Sequence, residues 1–219
     1  MEKPTLGYWK IRGLASQIRY QMVYLGVNYQ EDIYEQGDAP EFSRAVWTDK
    51  KNSLGLAFPN LPYFVDGDIK LTETQAIMKY ICYKWGEDLL GLDSAQVGEV
   101  EMVSGIISEL KSATTMPCYA SGDKAAIAKT CLEKTQPVAT YLGKKNFLMG
   151  DNVTYVDFIL FELCDFMTWM TDGQLYVKYP NLKDYFNRIK QLPRLKEFFE
   201  NDAVCIKRPF NNKIAKLNN

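Results

Sequence analysis

The spacing of the apolar residues changes in character near Gly86, and this change limits the folds open to the chain. Before Gly86, segments with the alternating apolar residues of a strand are interspersed with segments whose apolar residues have helical spacing. Beyond Gly86, every periodic segment has helical spacing. The sequence therefore predicts an α/β domain at residues 1–86 and an all-α domain at residues 94–219, with a short linker between them.

The predicted order of elements in the first domain is β-α-β-loop-β-β-α. Strand-type runs occupy residues 5–9, 29–34, 62–65 and 69–72. The Asp66-Gly67 dipeptide between the last two runs is a strong hairpin signal. A helical stripe follows the first strand and is formed by Leu14, Ile18, Met22 and Leu25. A second helix is predicted to end at Gly86.

Helices alone are predicted in the second domain. The predicted segments are a stripe from Val100 to Leu110, a helix at residues 125–142, an apolar helix after Thr154, and two helices at residues 181–191 and 194–200. Thr154 and Asp157 have the spacing of a reciprocal N-terminal cap for the apolar helix. The tail from Ile206 is predicted to be irregular.

The absence of histidine excludes several classes of catalytic site. None of the 219 residues is a histidine. Ser-His-Asp and Cys-His catalysis and histidine-ligated metal sites are therefore ruled out. Any proton transfer must fall to tyrosine, lysine, cysteine or a carboxylate. The 26 basic and 27 acidic residues give a net charge of −1, which does not favour nucleic acid as a partner.

The cysteines favour a reducing compartment. The five cysteines are far apart and form no CxxC pair, so neither a disulfide framework nor a dithiol motif is predicted. The N-terminus has no apolar signal core, and no run of about 18 apolar residues is present to span a membrane. We therefore expect a cytoplasmic protein with no membrane partner.

Several motifs together resemble one family of enzymes. They are LGYW at residues 6–9, IRGL at 11–14, GDAP at 37–40, LGLAFPNLPY at 54–63, Cys118-Tyr119, VDF at 156–158 and PNLK at 180–183. With them the sequence resembles the mu-class cytosolic glutathione S-transferases over nearly its whole length. The resemblance implies the glutathione transferase fold, a thioredoxin-like domain followed by an all-α domain. It also implies conjugation of the glutathione thiolate to apolar electrophiles in detoxification, by a homodimer that uses glutathione as co-substrate and no metal.

Tyr8 is the residue to which the resemblance assigns activation of the thiol. A phenol with a pKa of about 10 is a poor base at neutral pH but a good hydrogen-bond donor. A hydroxyl directed at sulfur favours the thiolate over the thiol. For any one of the 14 tyrosines, packing alone is the alternative interpretation.

The resemblance assigns a further set of residues to glutathione. They are Trp9, Leu14, Arg44, Trp47, Lys51, Asn60, Leu61, Pro62, Glu73, Thr74 and Glu109 of the partner subunit. Two cations and an indole N–H suit the glycyl carboxylate, and a cis Leu61–Pro62 bond would expose the Leu61 backbone to the cysteinyl group. Thr74 is predicted to cap a helix that starts at Gln75. Glu73 and Glu109 depart from the family pattern, which has Gln and Asp at these positions.

The resemblance also gives an electrophile site and a contact between subunits. The electrophile site comprises Ile11, Ser112, Thr115, Tyr119, Asn211 and Asn212. Tyr119 suits the stabilisation of a developing oxyanion. Phe58 is expected to anchor the dimer by inserting between helices of the partner subunit. An ordinary exposed loop residue is the alternative for Phe58.

Two functions from other classes compete with this hypothesis. A dithiol redox enzyme on the same thioredoxin-like domain is disfavoured by the missing CxxC motif and by the lack of a cysteine near Tyr8. A non-catalytic protein that sequesters apolar ligands is opposed by the presence of Tyr8, Arg44, Lys51 and Thr74. The sequence leaves open the identity of the electrophile and any isomerase or peroxidase activity.

Overall fold

The structure, a computed structural model, describes residues 2–201 and 207–219. Its N-terminal part has the predicted order of strands and helices, with one additional short helix, α2. The elements are β1 (Thr5–Trp9), α1 (Ser16–Leu25), β2 (Gln30–Tyr34), α2 (Ala45–Thr48), a 3-10 turn (Lys51–Ser53), β3 (Tyr63–Asp66), β4 (Ile69–Thr72) and α3 (Thr74–Trp85).

The four strands form one mixed sheet in the order β2-β1-β3-β4. Strand β1 pairs with β2 in parallel and with β3 in antiparallel fashion, and β3 and β4 form the predicted hairpin. Gly7 lies opposite Tyr63 in this register. A side chain at position 7 would overlap the Tyr63 ring, so the close pairing of β1 with β3 depends on glycine there.

Helices make up the C-terminal part. After a 3-10 turn (Glu87–Leu90), they are α4 (Ser94–Ala120), α5 (Lys124–Lys134), α6 (Gln136–Leu142), α7 (Tyr155–Met170), α8 (Gln174–Lys178), α9 (Pro180–Lys190) and α10 (Pro193–Asn201). The predicted α/β and all-α classes of the two parts are confirmed. The short helix α8 has no counterpart in the predicted set.

The prediction of a single helix over residues 125–142 is wrong. Helix α5 ends at Lys134 and α6 begins at Gln136. Pro137 explains the break, because it has no N–H for the helical hydrogen bond and is favoured in the first turn of a helix, where it lies in α6. The predicted tail boundary at Ile206, together with Cys205, lies outside the described residues. Lys207, the first described residue of this tail, is helical, whereas residues 208–219 contain no helix or strand, as expected.

Helix α7 is the centre of the all-α part and packs against α1, α4 and α5. Its predicted N-terminal cap is confirmed. The Asp157 carboxylate accepts hydrogen bonds from the Thr154 N–H at 2.7 Å and from the Thr154 hydroxyl at 2.9 Å. Asp157 also accepts the Leu148 N–H and the Tyr185 hydroxyl, so the buried carboxylate is well satisfied.

The described cysteines, Cys82, Cys118, Cys131 and Cys164, are buried free thiols. Burial raises the pKa of the Cys82 thiol to about 12. Buried thiols with raised pKa values are poor nucleophiles at neutral pH. Within residues 2–201 and 207–219, no helix has the length and apolar character needed to cross a membrane.

Candidate active site

A cavity opens where the loop after β1 meets α4, α7 and the C-terminal segment, with about 670 Å³ of empty space that includes open solvent. Its walls are largely apolar and include Leu14, Met116, Leu163, Phe166 and Phe210. Polar groups enter it from Tyr8, Lys111, Tyr119 and Glu162. An apolar cavity with a few converging polar groups suits a small organic compound.

Tyr8 lies near the C-terminal end of β1, with its ring buried and its hydroxyl facing this cavity. The Leu14 N–H donates to the Tyr8 oxygen at 3.0 Å. Burial raises the pKa of Tyr8 to about 12 against the lowering effect of that hydrogen bond. The phenol is therefore protonated at neutral pH, and its own O–H remains available to a ligand.

Gly13 gives the loop its close approach to Tyr8. Its φ of +45° lies in the left-handed region, and a Cβ at this position would lie 2.6 Å from the Tyr8 oxygen. Only glycine satisfies both conditions without strain. The loop is also fastened to the C-terminal segment, because the Arg12 and Gly13 N–H groups donate to the carbonyls of Pro209 and Phe210.

A buried ionic network lies behind the same loop. Arg12 donates to Glu162 at 2.6 and 3.0 Å and forms an ion pair with Asp165 at 2.6 Å. Tyr20 donates to Glu162 at 2.9 Å, and the Arg12 guanidinium lies 4.1 Å from the centre of the Phe210 ring. The network joins the sheet domain to α7 and to the C-terminal segment. Its carboxylates, Glu162 first, raise the pKa of Arg12 against the opposing effect of burial.

A second, more polar pocket adjoins the first at Leu14 and Lys111. It is lined by Gln17, Glu73, Thr74, Gln75, Ser108 and Ser112. Glu73 precedes α3 with φ of 69° and ψ of 117°, a conformation that costs a non-glycine residue about 1–3 kcal/mol. Strain of this kind is typical of ligand-binding positions.

The prediction that Thr74 caps a helix from Gln75 is wrong. Helix α3 already begins at Thr74, Glu73 occupies the cap position, and no side chain caps the N–H groups there. The chain leaves β4 at Thr72 and turns directly into the helix, which starts one residue early. The helix N-terminus nevertheless faces the polar pocket, where a carboxylate is favoured.

The Leu61–Pro62 peptide bond is cis, as predicted. Leu61 and Pro62 are buried, and the Leu61 N–H donates to the Asn60 side-chain oxygen at 2.9 Å. Pairing of a ligand with the Leu61 N–H would therefore displace the Asn60 oxygen.

The site predicted for the glycyl carboxylate includes a cluster of packed aromatic side chains. Trp47 is buried and stacks on Tyr63 with ring centroids 5.9 Å apart, and it meets Tyr34 edge-on at 5.3 Å. Arg44 and Lys51 lie on either side of it in the chain, and neither forms an ion pair with a described residue. Neighbouring Lys50 differs, because it pairs with Asp32 at 3.2 Å. Arg44 and Lys51 are thus the cations left for an anionic ligand.

The residues predicted for the electrophile lie in three places. Tyr119, Thr115 and Asn211 line the apolar cavity, and the Tyr119 oxygen accepts the Asn212 N–H at 2.9 Å. Ser112 lines the polar pocket instead. Ile11 and Asn212 line a neighbouring groove on the other side of the C-terminal segment.

The remaining predicted residues lie at the surface or beside the site. Trp9 is partly buried and meets Tyr34 edge-on, Glu109 is exposed on α4, and Phe58 is 79% exposed on the loop before β3. The sequence does not predict Gln17, Lys111 or Glu162 as site residues, although they line the two pockets. A helical signal for Lys111 existed, since it precedes Thr115 and Tyr119 by four and eight residues on α4.

Comparisons with known proteins agree on one family. Residues 4–82 match the family model described as the N-terminal domain of glutathione S-transferase, and residues 112–202 match the one for its C-terminal domain. The chain is 36% identical to glutathione S-transferase Mu 1 of Bos taurus over 89% of each chain. It is 33% identical to Mu 3 of Homo sapiens over 98% of this chain and 95% of that protein. Among solved structures, the glutathione S-transferase Blo t 8 matches 97% of this chain and 99% of its own, with a TM-score of 0.86 and 28% identity.

Proposed function

The chain belongs to the glutathione S-transferase family and conjugates glutathione to electrophiles, and we propose that Tyr8 is the group that holds the glutathione sulfur as a thiolate. The observation that carries this assignment is the Tyr8 hydroxyl, which accepts the Leu14 N–H and keeps its own proton for a ligand. The hydroxyl faces the apolar cavity, where a second substrate would approach the sulfur.

The energy available from this one contact is sufficient for thiol activation. An ordinary thiol has a pKa of about 8.5, and lowering it by about two units requires roughly 2.7 kcal/mol of preferential stabilisation of the anion. A hydrogen bond to a charged group supplies about 1.5–3 kcal/mol. The remaining acceleration comes from holding the two reactants together.

The rest of glutathione is assigned along the sheet domain. The glycyl carboxylate lies between Arg44 and Lys51 and accepts the Trp47 indole N–H, and the cysteinyl backbone pairs with Leu61. Asn60, Pro62, Trp9 and Leu14 shape the walls. At the other end, Thr74 and the N-terminus of α3 hold the γ-glutamyl carboxylate, while Glu73 holds the ammonium group. This assignment is supported by the two unpaired cations and by the open helix N-terminus.

The second substrate is an apolar electrophile in the cavity beside Tyr8, so we assign the enzyme to detoxification in the cytoplasm. Thr115, Tyr119 and Asn211 contact this compound, and Ile11, Ser112 and Asn212 surround it at greater distance. The apolar walls formed by Leu163, Phe166 and Phe210 support this choice.

A homodimer completes the proposed enzyme. Phe58 exposes an aromatic side chain, while an apolar groove on α4 and α6 is lined by Met102, Val103, Ile106, Pro137, Val138 and Tyr141. In a symmetric dimer, Phe58 of each copy fills the groove of the other, so the aromatic side chain and the groove are covered together. In such a dimer, Glu109 of the partner subunit approaches the γ-glutamyl group.

Conjugation assays with Tyr8→Phe test the proposed function. The wild-type protein should conjugate glutathione to an aryl halide, and Tyr8→Phe should lower kcat/KM at neutral pH by about 10- to 100-fold, because each 1.36 kcal/mol is tenfold. The ultraviolet absorbance of the bound thiolate should titrate at a higher pH in the variant. Tyr83→Phe, at a 68% exposed tyrosine that lines neither pocket, is the control for the loss of a phenol. If Tyr8→Phe and the wild type titrate alike and turn over alike, Tyr8 is only a packed residue.

Replacement of Glu73 tests the ammonium contact. We expect Glu73→Ala to raise the KM for glutathione about 5- to 10-fold with a smaller change in kcat, because the contact is equal in the ground and transition states. Glu73→Gln, which restores the residue usual in the mu class, should retain most of the affinity. An unchanged KM in Glu73→Ala would remove this residue from the site.

A further inference from the structure

Lys111 lies at the junction of the two pockets and belongs to the walls of both. It shares one face of α4 with Thr115 and Tyr119, and all three residues line the apolar cavity. The Thr115 hydroxyl donates to the Lys111 carbonyl at 2.8 Å, so it is already used within the helix. Of the three polar side chains on this face of α4, those of Lys111 and Tyr119 can therefore still donate a hydrogen bond to a ligand.

The Lys111 ammonium lacks an ionic partner. It donates to the neutral Gln17 side-chain oxygen at 3.0 Å, and no carboxylate of the described residues lies within 4 Å of it. Glu162, on the same cavity, is already neutralised by Arg12. A partly buried ammonium in this position has two further N–H groups and an unmatched positive charge, so an anionic group entering the cavity is favoured there.

We propose that Lys111 is a catalytic residue for α,β-unsaturated carbonyl electrophiles and donates a hydrogen bond to the carbonyl oxygen as negative charge develops on it. The proposal rests on the proposed function, because the nucleophile is the thiolate held by Tyr8. It assigns a substrate class that contains both an apolar body for the cavity walls and an oxygen for the cation.

The reaction balances without another reactant. The glutathione sulfur forms a bond to the β-carbon, the C=C π electrons shift, and the carbonyl π electrons move onto the oxygen to give an enolate. Lys111 stabilises this oxyanion through its N–H group and positive charge. The enolate then takes a proton from water at the α-carbon, which replaces the proton that the thiol released on ionisation.

Ionisation of Lys111 gives the proposal a signature in the pH dependence. Burial lowers the pKa of Lys111 to about 8, against the raising effect of Glu162. The ammonium form is therefore present below about pH 8 and is lost above it. The titratable groups that line the two pockets with Lys111 are Tyr8 (β1), Glu73 (before α3), Tyr119 (α4) and Glu162 (α7). Arg12, in the β1–α1 loop, is paired with Glu162.

The test compares two electrophiles in the wild type and in three variants. An enone places charge on oxygen, whereas an alkyl iodide expels a large, weakly hydrogen-bonding iodide. We expect Lys111→Met to lower kcat/KM for the enone by about 10- to 100-fold, the range of one hydrogen bond to a charged group, with little change for the iodide. Lys111→Arg should retain enone activity, and Lys129→Met, at an exposed lysine of α5, should match the wild type.

The ratio of enone to iodide activity, followed against pH, provides a second and independent readout. Dividing the two activities cancels the ionisation of glutathione. The wild-type ratio should fall above about pH 8, and the ratio for Lys111→Arg should stay level because arginine keeps its charge. This comparison decides the matter even if Lys111→Met does not fold.

Three results would overturn the proposal. Equal losses for both electrophiles, with a raised KM for glutathione, would show that Lys111 holds glutathione. A wild-type ratio that is level with pH would exclude the ammonium from the enone reaction. A wild-type protein that conjugates the aryl halide but not the enone would exclude this substrate class, whereas a protein that is also inactive on the aryl halide would refute the proposed function itself.

Discussion

Replacing Phe58 by alanine is expected to raise the dissociation constant of the proposed homodimer by about 10⁴-fold. Loss of a well-packed phenylalanine costs about 3 kcal/mol on the scale of core cavities, and a symmetric dimer loses two of them. Sedimentation velocity at micromolar concentration should show monomers for the variant and dimers for the wild type. Since the side chain is 79% exposed in the single chain, the melting temperature of the isolated monomer should hardly change.

The groove offers a complementary variant. Met102→Asp places a charge among apolar groove residues and should also dissociate the dimer, because burying that carboxylate against the Phe58 ring is unfavourable. Val177→Ala, at a 73% exposed apolar residue of α8, is the matched control and should remain dimeric. A wild-type chain that sediments as a monomer would refute both the groove assignment and the role of Glu109 of the partner subunit.

The fold was predictable because its signals are local. Alternating apolar runs, the Asp66-Gly67 turn and the Thr154 cap each act within a few residues, and the strands and helices lie close to the predicted positions. The errors have equally local causes. Pro137 divides the segment predicted as one helix. Helix α3 begins at Thr74, directly after Glu73, whose positive φ is unusual for a residue other than glycine.

The site was predictable only in part. The cis Leu61–Pro62 bond and the position of Tyr8 at the apolar cavity agree with what the family resemblance implies. Lys111 was missed because its importance comes from what surrounds it in space. Its amide partner belongs to α1, and the carboxylate that acts to raise its pKa, Glu162, belongs to α7 and is paired with Arg12. Such pairings between distant segments are not encoded in the spacing of residues along one helix.

The IRGL motif shows the same division between local and distant information. Its glycine is explained by the loop beside Tyr8, which a side chain at position 13 would disturb. No residue close to it in the sequence explains its arginine. Arg12 binds two carboxylates on α7, and one of them, Glu162, is 150 positions further along the chain. The structure therefore gives Arg12 a role in stability that the sequence motif alone did not indicate.

Arg12→Met is accordingly expected to lower the free energy of unfolding by about 3–5 kcal/mol at neutral pH. The substitution leaves Glu162 without its cation, and removal of one partner from a buried pair leaves an uncompensated charge. The side chains of Arg12 and Glu162 are only 4% and 5% exposed, so water cannot replace the lost contact. Urea denaturation at one fixed protein concentration, fitted with a model in which the dimer unfolds to monomers, measures the change.

Two further variants separate the charge from the packing. In Arg12→Met/Glu162→Gln the orphaned carboxylate becomes a neutral amide, so a large part of the lost stability should return. Lys124→Met breaks the exposed pair with Asp172 and should cost less than about 1 kcal/mol. If Arg12→Met and Lys124→Met lose equal stability, the buried network is not what joins the two domains.

Arg12→Met should also change the active site. The Arg12 side chain also packs on Phe210, which lines the apolar cavity with Asn211. Loosening this segment should raise the KM for the electrophile more than the KM for glutathione, because Arg44, Trp47 and Lys51 belong to the sheet domain. Steady-state kinetics with each substrate varied in turn measures the split, and equal increases in both KM values would show that the whole sheet domain has shifted instead.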